Sequence, residues 1–218
     1  KNRKITKDDI YNILERGGFK NAREFININN LEYYQTAFIH SSYVKKYIYS
    51  DTGDDTKKIT ITPQPDGALD LFEENQHYEN QEFLGDRVLD FSAAFYICRK
   101  YPDRDQGFKT VLKTKLVRKN SLAKFAKFLK FPDYLIISKQ IEEKTTDGRH
   151  NLRILEDVME AFICALFLDQ NETKWYSEII VKLENQRLIG PGWQIANAFI
   201  ENLFELVIDF EELLEKEE

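Results

Sequence analysis

The sequence predicts an all-α fold, in which a bundle of helices is joined by short links and interrupted by one insertion. Helix breakers are scarce, with 9 Gly and 5 Pro among 218 residues. The segments between these breakers carry apolar residues at helical spacing. Their 16 Phe and 11 Tyr supply an aromatic-rich core. With 42% hydrophobic residues, the chain is long enough for one domain of generous size, or for a domain with a small appendage.

The first helices are placed by their start and stop signals. Thr6, followed by two acidic residues, is typical of a helix N-terminus, and the pair Gly17 and Gly18 is typical of a C-terminus. Three Asn residues within 27–30 predict a turn, because their side chains bond to nearby backbone groups. A helix is predicted to follow over residues 31–43.

Residues 50–67 differ in composition from the rest of the chain. They contain an acidic, glycine-containing run, then an Ile-Thr-Ile-Thr stretch that alternates like a strand, then two prolines. The strand pattern is isolated in the sequence, so we expect an exposed and mobile insertion here. Its outer bounds are about residues 47–70.

The second half of the chain predicts further helices with clear breaks. A long helix should begin near residues 76–78 and run to about Tyr101, where Pro102 ends it. Helices follow over 106–119 and 121–129, with Asn120 or Ser121 as the N-cap of the latter. After them come a polar loop at 142–151, helices over 152–168 and 173–186, a break at Gly190-Pro191-Gly192, and a last helix from about Trp193 towards Glu215. We therefore expect a domain at residues 1–189 and a helical extension or connector at 190–218.

The sequence also indicates the cellular compartment. Two Cys give no disulfide framework, which favours a reducing compartment. No signal peptide is visible, and the longest apolar stretch, residues 161–168, is too short to cross a bilayer. We expect an intracellular, cytoplasmic protein, or one in the host cytoplasm or nucleus if it is viral, with no membrane partner. Because the chain begins with Lys1 and not Met, we expect it to be part of a longer chain.

The charge distribution is uneven. The net charge of −6 argues, taken alone, against a nucleic-acid binder. However, residues 99–130 hold eleven basic residues against two acidic ones, whereas residues 201–218 are strongly acidic. The basic segment fits a footprint for a polyanionic substrate. Charge alone favours the alternative, a solvated, Lys-rich helix face, which is the commoner meaning of such runs.

Two short acidic motifs carry the functional information. In the first, Glu82 and Asp86 lie one turn apart on a helix face that Glu79 and Asp90 extend. Gly85 lies between them and would let another backbone approach closely. Acidic pairs of this spacing are also common on solvated faces.

The second motif, Asp157 with Glu160, lies in a helix that is apolar nearly all round and is therefore expected to be buried. A buried carboxylate needs a proton, a basic partner or a metal. If this pair meets Glu82 and Asp86, a hard cation such as Mg²⁺ is the natural partner. From spacing alone, an arrangement of separate helices whose acids pair with Lys and Arg is equally favoured.

Residues 79–89, Glu-Asn-Gln-Glu-Phe-Leu-Gly-Asp-Arg-Val-Leu, closely resemble the signature of the ribonuclease III family. Residues 35–43, 116–123 and 154–161 resemble three further family segments, in the family's order. The resemblance extends over roughly residues 9–186. It implies the all-helical bundle of a ribonuclease III endonuclease domain.

The resemblance also implies an activity and a site. Members of the family cleave double-stranded RNA with Mg²⁺, for which Mn²⁺ can substitute, and leave 5′-phosphate and 3′-hydroxyl ends with short 3′ overhangs. Glu82, Asp86, Asp157 and Glu160 match the family's four metal-site acids. By this resemblance, Glu160 would bind the metal directly, and Asp86 would help to orient the attacking water. Glu79 matches a further acid nearer the RNA.

The family resemblance further implies a homodimer, with the signature helix at the interface and one site per subunit, so that each site cuts one strand. The family recognises duplex RNA mainly by its shape. No small-molecule cofactor is expected. In family members, a segment like residues 193–218 often leads into a double-stranded-RNA-binding domain, and the chain is accordingly expected to be truncated.

Some positions depart from the family pattern. Gln106 stands where the family often has an acid, which puts any role of that acid in doubt. Cys164 stands where Gly is usual, and we expect a small buried residue and not a nucleophile. His40 is expected to be a satisfied core histidine, and the insertion at 47–70 a surface loop.

Two other functions are compatible with parts of the sequence. One is a catalytically inactive, ribonuclease III-like scaffold that binds RNA or ribosomes. Such scaffolds typically lose site acids, whereas all four are present here. The other is a helical interaction module that uses the acidic tail, which leaves Asp157 and Glu160 unexplained.

Overall fold

The computed structural model describes residues 2–44, 47–50, 58–61, 69, 75–144, 148–172 and 190–215. This part of the chain is mostly helical, which confirms the predicted all-α class. In chain order the helices are α1 Lys7–Arg16, α2 Ala22–Phe25, α3 Leu31–Ala37, α4 Glu79–Lys100, α5 Gln106–Val117, α6 Lys119–Phe128, α7 Lys139–Lys144, α8 Leu152–Asn171, α9 Gly192–Val207 and α10 Phe210–Glu215. Short 3₁₀ turns occur at Ser41–Tyr43, Phe131–Asp133 and Gly148–His150.

Helix α8 is the centre of the bundle. It packs against α4, α6, α9 and α3, and most of its side chains are buried. Phe162, near its middle, contacts four aromatic rings from three other parts of the chain. The rings are those of Tyr34, Phe38, Phe131 and Phe199, with centroids 5.2–6.0 Å from that of Phe162. The aromatic residues therefore form the core, as the composition predicts.

The first helix begins and ends where its local sequence signals predict. The Thr6 side chain accepts a hydrogen bond from the Asp9 backbone N–H, and the Asp9 carboxylate accepts one from the Thr6 backbone N–H. This reciprocal capping box satisfies two N–H groups that the first turn leaves without partners. At the other end, α1 stops at Gly17, as predicted.

Helix α3 is shorter than the predicted helix over 31–43. It ends at Ala37, and Ile39 then forms a parallel bridge with Ile136. The His40 N–H donates to the Ile136 carbonyl, and the Ile136 N–H donates to the Phe38 carbonyl, at 2.9 and 2.8 Å. These bonds to a distant segment replace the next helical turn, which local propensity cannot foresee.

The start of α6 differs from the prediction of an Asn120 or Ser121 cap. The helix begins at Lys119, and Arg118 occupies the cap position without a side-chain hydrogen bond. The Ser121 hydroxyl donates instead to the Lys115 carbonyl at 2.7 Å. Ser121 therefore does not cap α6 but links its first turn to the end of α5.

Two more boundaries differ from the prediction. The predicted loop at 142–151 contains the end of α7 and the 3₁₀ turn Gly148–His150. The predicted last helix is split in two, because Ile208 is extended between α9 and α10. Asp209 then accepts a hydrogen bond from the Glu212 backbone N–H, which supports the new helix start.

The alternating stretch in the insertion does form a strand, but the strand is paired. Strand β1, Tyr47–Ser50, runs antiparallel to β2, Lys58–Ile61, with Tyr47 opposite Ile61. The expectation of an exposed and mobile insertion otherwise concerns residues outside the described part of the chain.

Helix α9 contributes to the main core. Its Phe199, Ile200, Leu203 and Phe204 are buried in the same apolar cluster as α8. The helix predicted over 173–186 lies outside the described residues, and the domain boundary at 189–190 stays a prediction. Among the described helices, none has the length and apolar character needed to cross a membrane.

Candidate active site

The four acids predicted from the two motifs lie around one cavity. Glu82 and Asp86 reach it from α4, and Asp157 and Glu160 reach it from α8. The cavity has a volume of about 450 Å³ and is open to solvent. Its other lining residues are Glu79, Phe83, Arg87, Arg153 and Glu156. The structure therefore brings together all four residues, although 75 positions separate Glu82 from Asp157 in the sequence.

A close contact between α4 and α8 forms the floor of the cavity. Gly85 is buried against α8, and a Cβ atom at this position would overlap the Glu160 carbonyl oxygen. Only glycine therefore allows the two helices to approach this closely. Since Gly85 lies between Glu82 and Asp86, this contact places both carboxylates beside Glu160. The close approach expected at Gly85 is confirmed.

Glu160 is the most buried of the four acids, with 9% of its surface exposed. Burial, together with the charges of Glu156, Glu82 and Asp157, raises the pKa of Glu160 to about 8. Among the described residues, no side chain donates a hydrogen bond to its carboxylate. A carboxylate in this setting is stabilised by a proton or by a cation.

The pKa values of the neighbouring carboxylates are raised as well. Burial, and then the charge of Asp157, raises the pKa of Glu82. Burial raises the pKa of Asp157, whereas a 3.2 Å hydrogen bond donated by the Tyr78 hydroxyl opposes that rise. Burial also raises the pKa of Glu156. The cavity is thus a region of accumulated negative charge.

Two arginines line the cavity and differ in their pairing. Arg87 forms an ion pair with Asp86. Arg153 has no ion pair among the described residues, yet its charge lowers the pKa values of Glu82, Glu156 and Asp157. Arg153 therefore lies within electrostatic range of the acids without being bound to any one of them.

The carboxylates that line the cavity fit a hard divalent cation, because carboxylate oxygens are the ligands that Mg²⁺ and Mn²⁺ prefer. The buried Glu160 without a hydrogen-bond donor supports that fit. Within the described ranges, no three His, Cys, Asp or Glu side chains are already arranged to hold an ion. Repulsion between like charges and the pairing of Asp86 with Arg87 both act to keep the carboxylates apart.

Other residues singled out in the sequence lie away from this cavity. Gln106 lines a separate groove between α4 and α5, together with Cys98. Cys164 is buried, and burial raises the pKa of its thiol to about 12, which makes it a poor nucleophile. The His40 ring forms a 2.8 Å hydrogen bond with the Ser42 hydroxyl and packs against the Tyr78 ring.

Glu156 and Arg153 line the cavity and Tyr78 contacts Asp157, although none of the three was predicted from the sequence to belong to the site. A signal for two of them was present. Glu156 lies four residues before Glu160, and Arg153 lies four residues before Asp157, so helical spacing puts each on the face of a predicted acid. Tyr78 had no such signal, because its contact with Asp157 joins residues 79 positions apart.

The basic segment at 99–130 divides into a paired and an unpaired part. Arg99 and Lys100 pair with Glu201 and Glu205 of α9, at 3.1 and 2.6 Å. By contrast, no ion pair to Lys119 is found in the part of the chain that the structure describes, and its charge lowers the pKa of Glu156 at the cavity. Glu201 and Glu205 therefore neutralise Arg99 and Lys100, whereas Lys119 lies within electrostatic range of the cavity without an ion pair among the described residues.

The chain is similar in sequence to known proteins. Residues 70–183 match the family model described as Ribonuclease-III-like. Ribonuclease 3 of Enterococcus faecalis is 35% identical over 146 residues, which cover 67% of this chain and 51% of that protein. Ribonuclease 3 of Streptococcus pyogenes serotype M5 is 28% identical over 197 residues, which cover 88% of this chain and 75% of that protein.

A solved structure shows the same fold. The nuclease domain of ribonuclease III from Campylobacter jejuni superposes with a TM-score of 0.55 at 22% identity, over 90% of this chain and 99% of that one. The chain spans about half the length of the Enterococcus faecalis relative. With more than half of its residues matched by the family model and with this fold, the chain belongs to the ribonuclease III family.

Proposed function

We propose that this chain is a magnesium-dependent endoribonuclease that cleaves double-stranded RNA to products with 5′-phosphate and 3′-hydroxyl ends and short 3′ overhangs. One observation carries the proposal: the four family-type acids line one cavity around Glu160, a buried carboxylate without a hydrogen-bond donor among the described residues. Membership of the ribonuclease III family supports the same reaction class.

Glu82, Asp86, Asp157 and Glu160 would hold the cation, Mg²⁺ or in its place Mn²⁺. A bound cation supplies an activated water and stabilises the leaving oxygen in phosphodiester hydrolysis. Glu160 is the direct ligand with the strongest need for a cation, because its pKa is raised to about 8. Asp86 lies at the more exposed side of the cavity and would release Arg87 to accept a hydrogen bond from the attacking water.

The charges around the cavity suit the RNA backbone. Arg153 and Lys119 lie beside the acidic cavity and have no ion pairs among the described residues, so both are available for phosphates. Guanidinium groups bind phosphate with two parallel hydrogen bonds. A local basic rim lets a chain of net charge −6 bind a polyanion.

The exposed face of α4 supports a homodimer. Phe83, Phe91 and Phe95 follow one another at helical spacing and are 70%, 57% and 38% exposed. Phe91 and Phe95 pack with Trp193 of α9 into an aromatic patch. Such exposed aromatic patches mark interaction surfaces. The Campylobacter jejuni nuclease domain is itself described as having a flexible region involved in dimer formation.

The proposed activity is tested by incubating the protein with a long RNA duplex, with Mg²⁺ and with a chelator, and by sizing the products. We expect short duplex fragments with Mg²⁺ and intact RNA with the chelator. End analysis should show 5′-phosphates, and single-stranded RNA of the same sequence should survive. Intact duplex at every Mg²⁺ concentration would contradict the proposal.

The proposed dimer is tested by light scattering. The wild-type chain should show twice the monomer mass, and Phe91→Glu should shift it towards the monomer because a charge then lies in the apolar contact. Val111→Glu, a change at an exposed apolar position on α5, is the matched control and should leave the mass unchanged. A monomeric wild-type chain at working concentration would argue against a two-strand mechanism.

A further inference from the structure

The Tyr78 side chain contacts Asp157, one of the acids that line the cavity, and no pattern in the sequence marks it for this role. Its hydroxyl donates a 3.2 Å hydrogen bond to Oδ2 of Asp157, and the residue is 3% exposed. In the part of the chain that the structure describes, no other side chain donates a hydrogen bond to Asp157. Glu82 and Glu160 have no side-chain donor there at all. Tyr78 is thus the neutral group that directly restrains a carboxylate of the cavity.

Tyr78 is itself held from several directions. Its backbone N–H donates to the Ile39 carbonyl at 3.1 Å, and its ring packs edge-on against His40, with centroids 5.6 Å apart. Its carbonyl accepts hydrogen bonds from the backbone N–H groups of Gln81 and Glu82, both at 2.9 Å. The residue is therefore fixed to the first turn of α4 through its backbone and to α8 through its hydroxyl.

This arrangement links two of the cavity's carboxylates through one residue. The backbone of Tyr78 sets the turn that carries Glu82, and its hydroxyl sets the orientation of Asp157. Gly85 fixes the distance between α4 and α8 but leaves the side chains free to rotate. A fixed hydroxyl donor removes that freedom for Asp157.

We propose that Tyr78 is a positioning residue, whose hydroxyl holds the Asp157 carboxylate in the orientation in which it contributes to cation binding. The inference rests on the proposed function. Groups that orient metal ligands are worth about 10- to 100-fold in metal affinity. Tyr78 acts through Asp157 and need not contact the substrate.

The chain contains its own matched control. The Tyr34 hydroxyl donates a 2.9 Å hydrogen bond to Asp169, which lies near the C-terminal end of the same helix. Tyr34→Phe and Tyr78→Phe therefore remove the same atom from the same kind of pair. Only the second pair lies at the cavity.

The experiment measures binding of Mn²⁺ to the wild type and to both variants, by calorimetry without RNA. We expect Tyr78→Phe to raise the Kd for Mn²⁺ about 10-fold and Tyr34→Phe to leave it unchanged. In cleavage assays, excess Mn²⁺ should restore the rate of Tyr78→Phe, with KM for the duplex unchanged. Thermal melting in chelator should show that both variants are folded. The melting temperature of Tyr34→Phe should be lower than that of the wild type.

Two results would overturn the inference. One is an unchanged Mn²⁺ affinity for Tyr78→Phe. The other is an equal loss of affinity in both variants, which would show a general effect of loosening α8. Failure of the proposed function is distinguished by Glu160→Gln: if that variant binds Mn²⁺ as tightly as the wild type, the site itself is wrong, whatever Tyr78→Phe does.

Discussion

Glu160 and Asp169 are both buried acids of α8, but they differ in the hydrogen-bond donors that surround their carboxylates. Asp169 is fully buried and accepts hydrogen bonds from the backbone N–H groups of Asn29 and Asn30, at 2.8 and 2.6 Å. It also accepts one from the Tyr34 hydroxyl. Glu160, nine residues earlier, has 9% of its surface exposed and no hydrogen-bond donor among the described residues.

This contrast shows that burial alone does not mark a functional acid. Burial raises the pKa of both groups, but at Asp169 the donors around the carboxylate oppose that rise. A buried carboxylate with its hydrogen bonds satisfied ties segments of the fold together. A buried carboxylate without donors, close to other carboxylates, destabilises the fold until a proton or a cation compensates it.

The largest expected effect comes from Glu160→Gln. We expect cleavage to fall at least about 10³-fold, because a neutral amide replaces a charged ligand at the reacting centre. Duplex binding should persist, and thermal stability in chelator should be unchanged or higher, since repulsion is relieved. Cleavage at the wild-type rate would contradict the metal-site role, and a large loss of stability would remove the contrast with Asp169.

The second effect concerns the contact that holds the site together. In Gly85→Ala, the new methyl group would overlap the Glu160 carbonyl oxygen and push α4 away from α8. We expect a loss of about 1–3 kcal/mol in the free energy of unfolding. Cleavage should fall about 10²-fold from misplacement of the acids.

Gly107→Ala is the control for this variant. A Cβ atom there would meet only the Asp105 side chain, at 3.3 Å, on an exposed part of α5. We expect no loss of stability or cleavage, because alanine favours the helix. Equal behaviour of the two glycine variants in melting and cleavage assays would refute the special role of Gly85.

For Asp169→Asn we expect the reverse of Glu160→Gln: a loss of stability without a loss of cleavage. The amide group places a donor among the donors that now bind the carboxylate, so we expect a loss of about 1–3 kcal/mol. The melting temperature should fall by roughly 2–4 °C for each kcal/mol. Cleavage per folded molecule, measured well below the melting temperature, should be unchanged. A specific loss of cleavage would make Asp169 part of the site.

The last effect is a pH dependence of stability without metal. The ordinary pKa of Glu160 is 4.5, and its pKa in the fold is about 8, so the folded state binds the proton more tightly. Stability should therefore be greatest below about pH 4.5 for this group and decrease as the pH rises to about 8. Thermal melts in chelator across this range should show the decrease, and Glu160→Gln should reduce it. An identical slope for the two proteins would contradict the raised pKa.

Much of the site was predictable because it depends on helical spacing. The i, i+4 relation of Glu82 and Asp86 and the i, i+3 relation of Asp157 and Glu160 put each pair on one helix face. Gly85 between the first pair predicted a close helix contact, and the structure has it. The capping box at Thr6 was equally local.

The rest depended on contacts between distant segments. The pairing of Ile39 with Ile136 ends α3 early, and the junction after Val207 splits the last helix. The first has no local signal, because the competing hydrogen bonds come from residues far along the chain. At the second, Asp209 accepts a hydrogen bond from the nearby Glu212 N–H and supports a new helix start. Asp169, which directly follows the apolar run, likewise had no local mark to separate it from the predicted site acids.

By itself, the sequence determined which residues share a helix face, where several helices begin, and, through its ordered motifs, the family. Only the tertiary structure decided which buried acids are satisfied. The donors to Asp169 come from a segment 140 residues away, and the donor to Asp157 comes from 79 residues away. Hydrogen bonding depends on distance in space and not along the chain, so the difference between a structural and a candidate catalytic carboxylate on α8 appears only once the chain is folded.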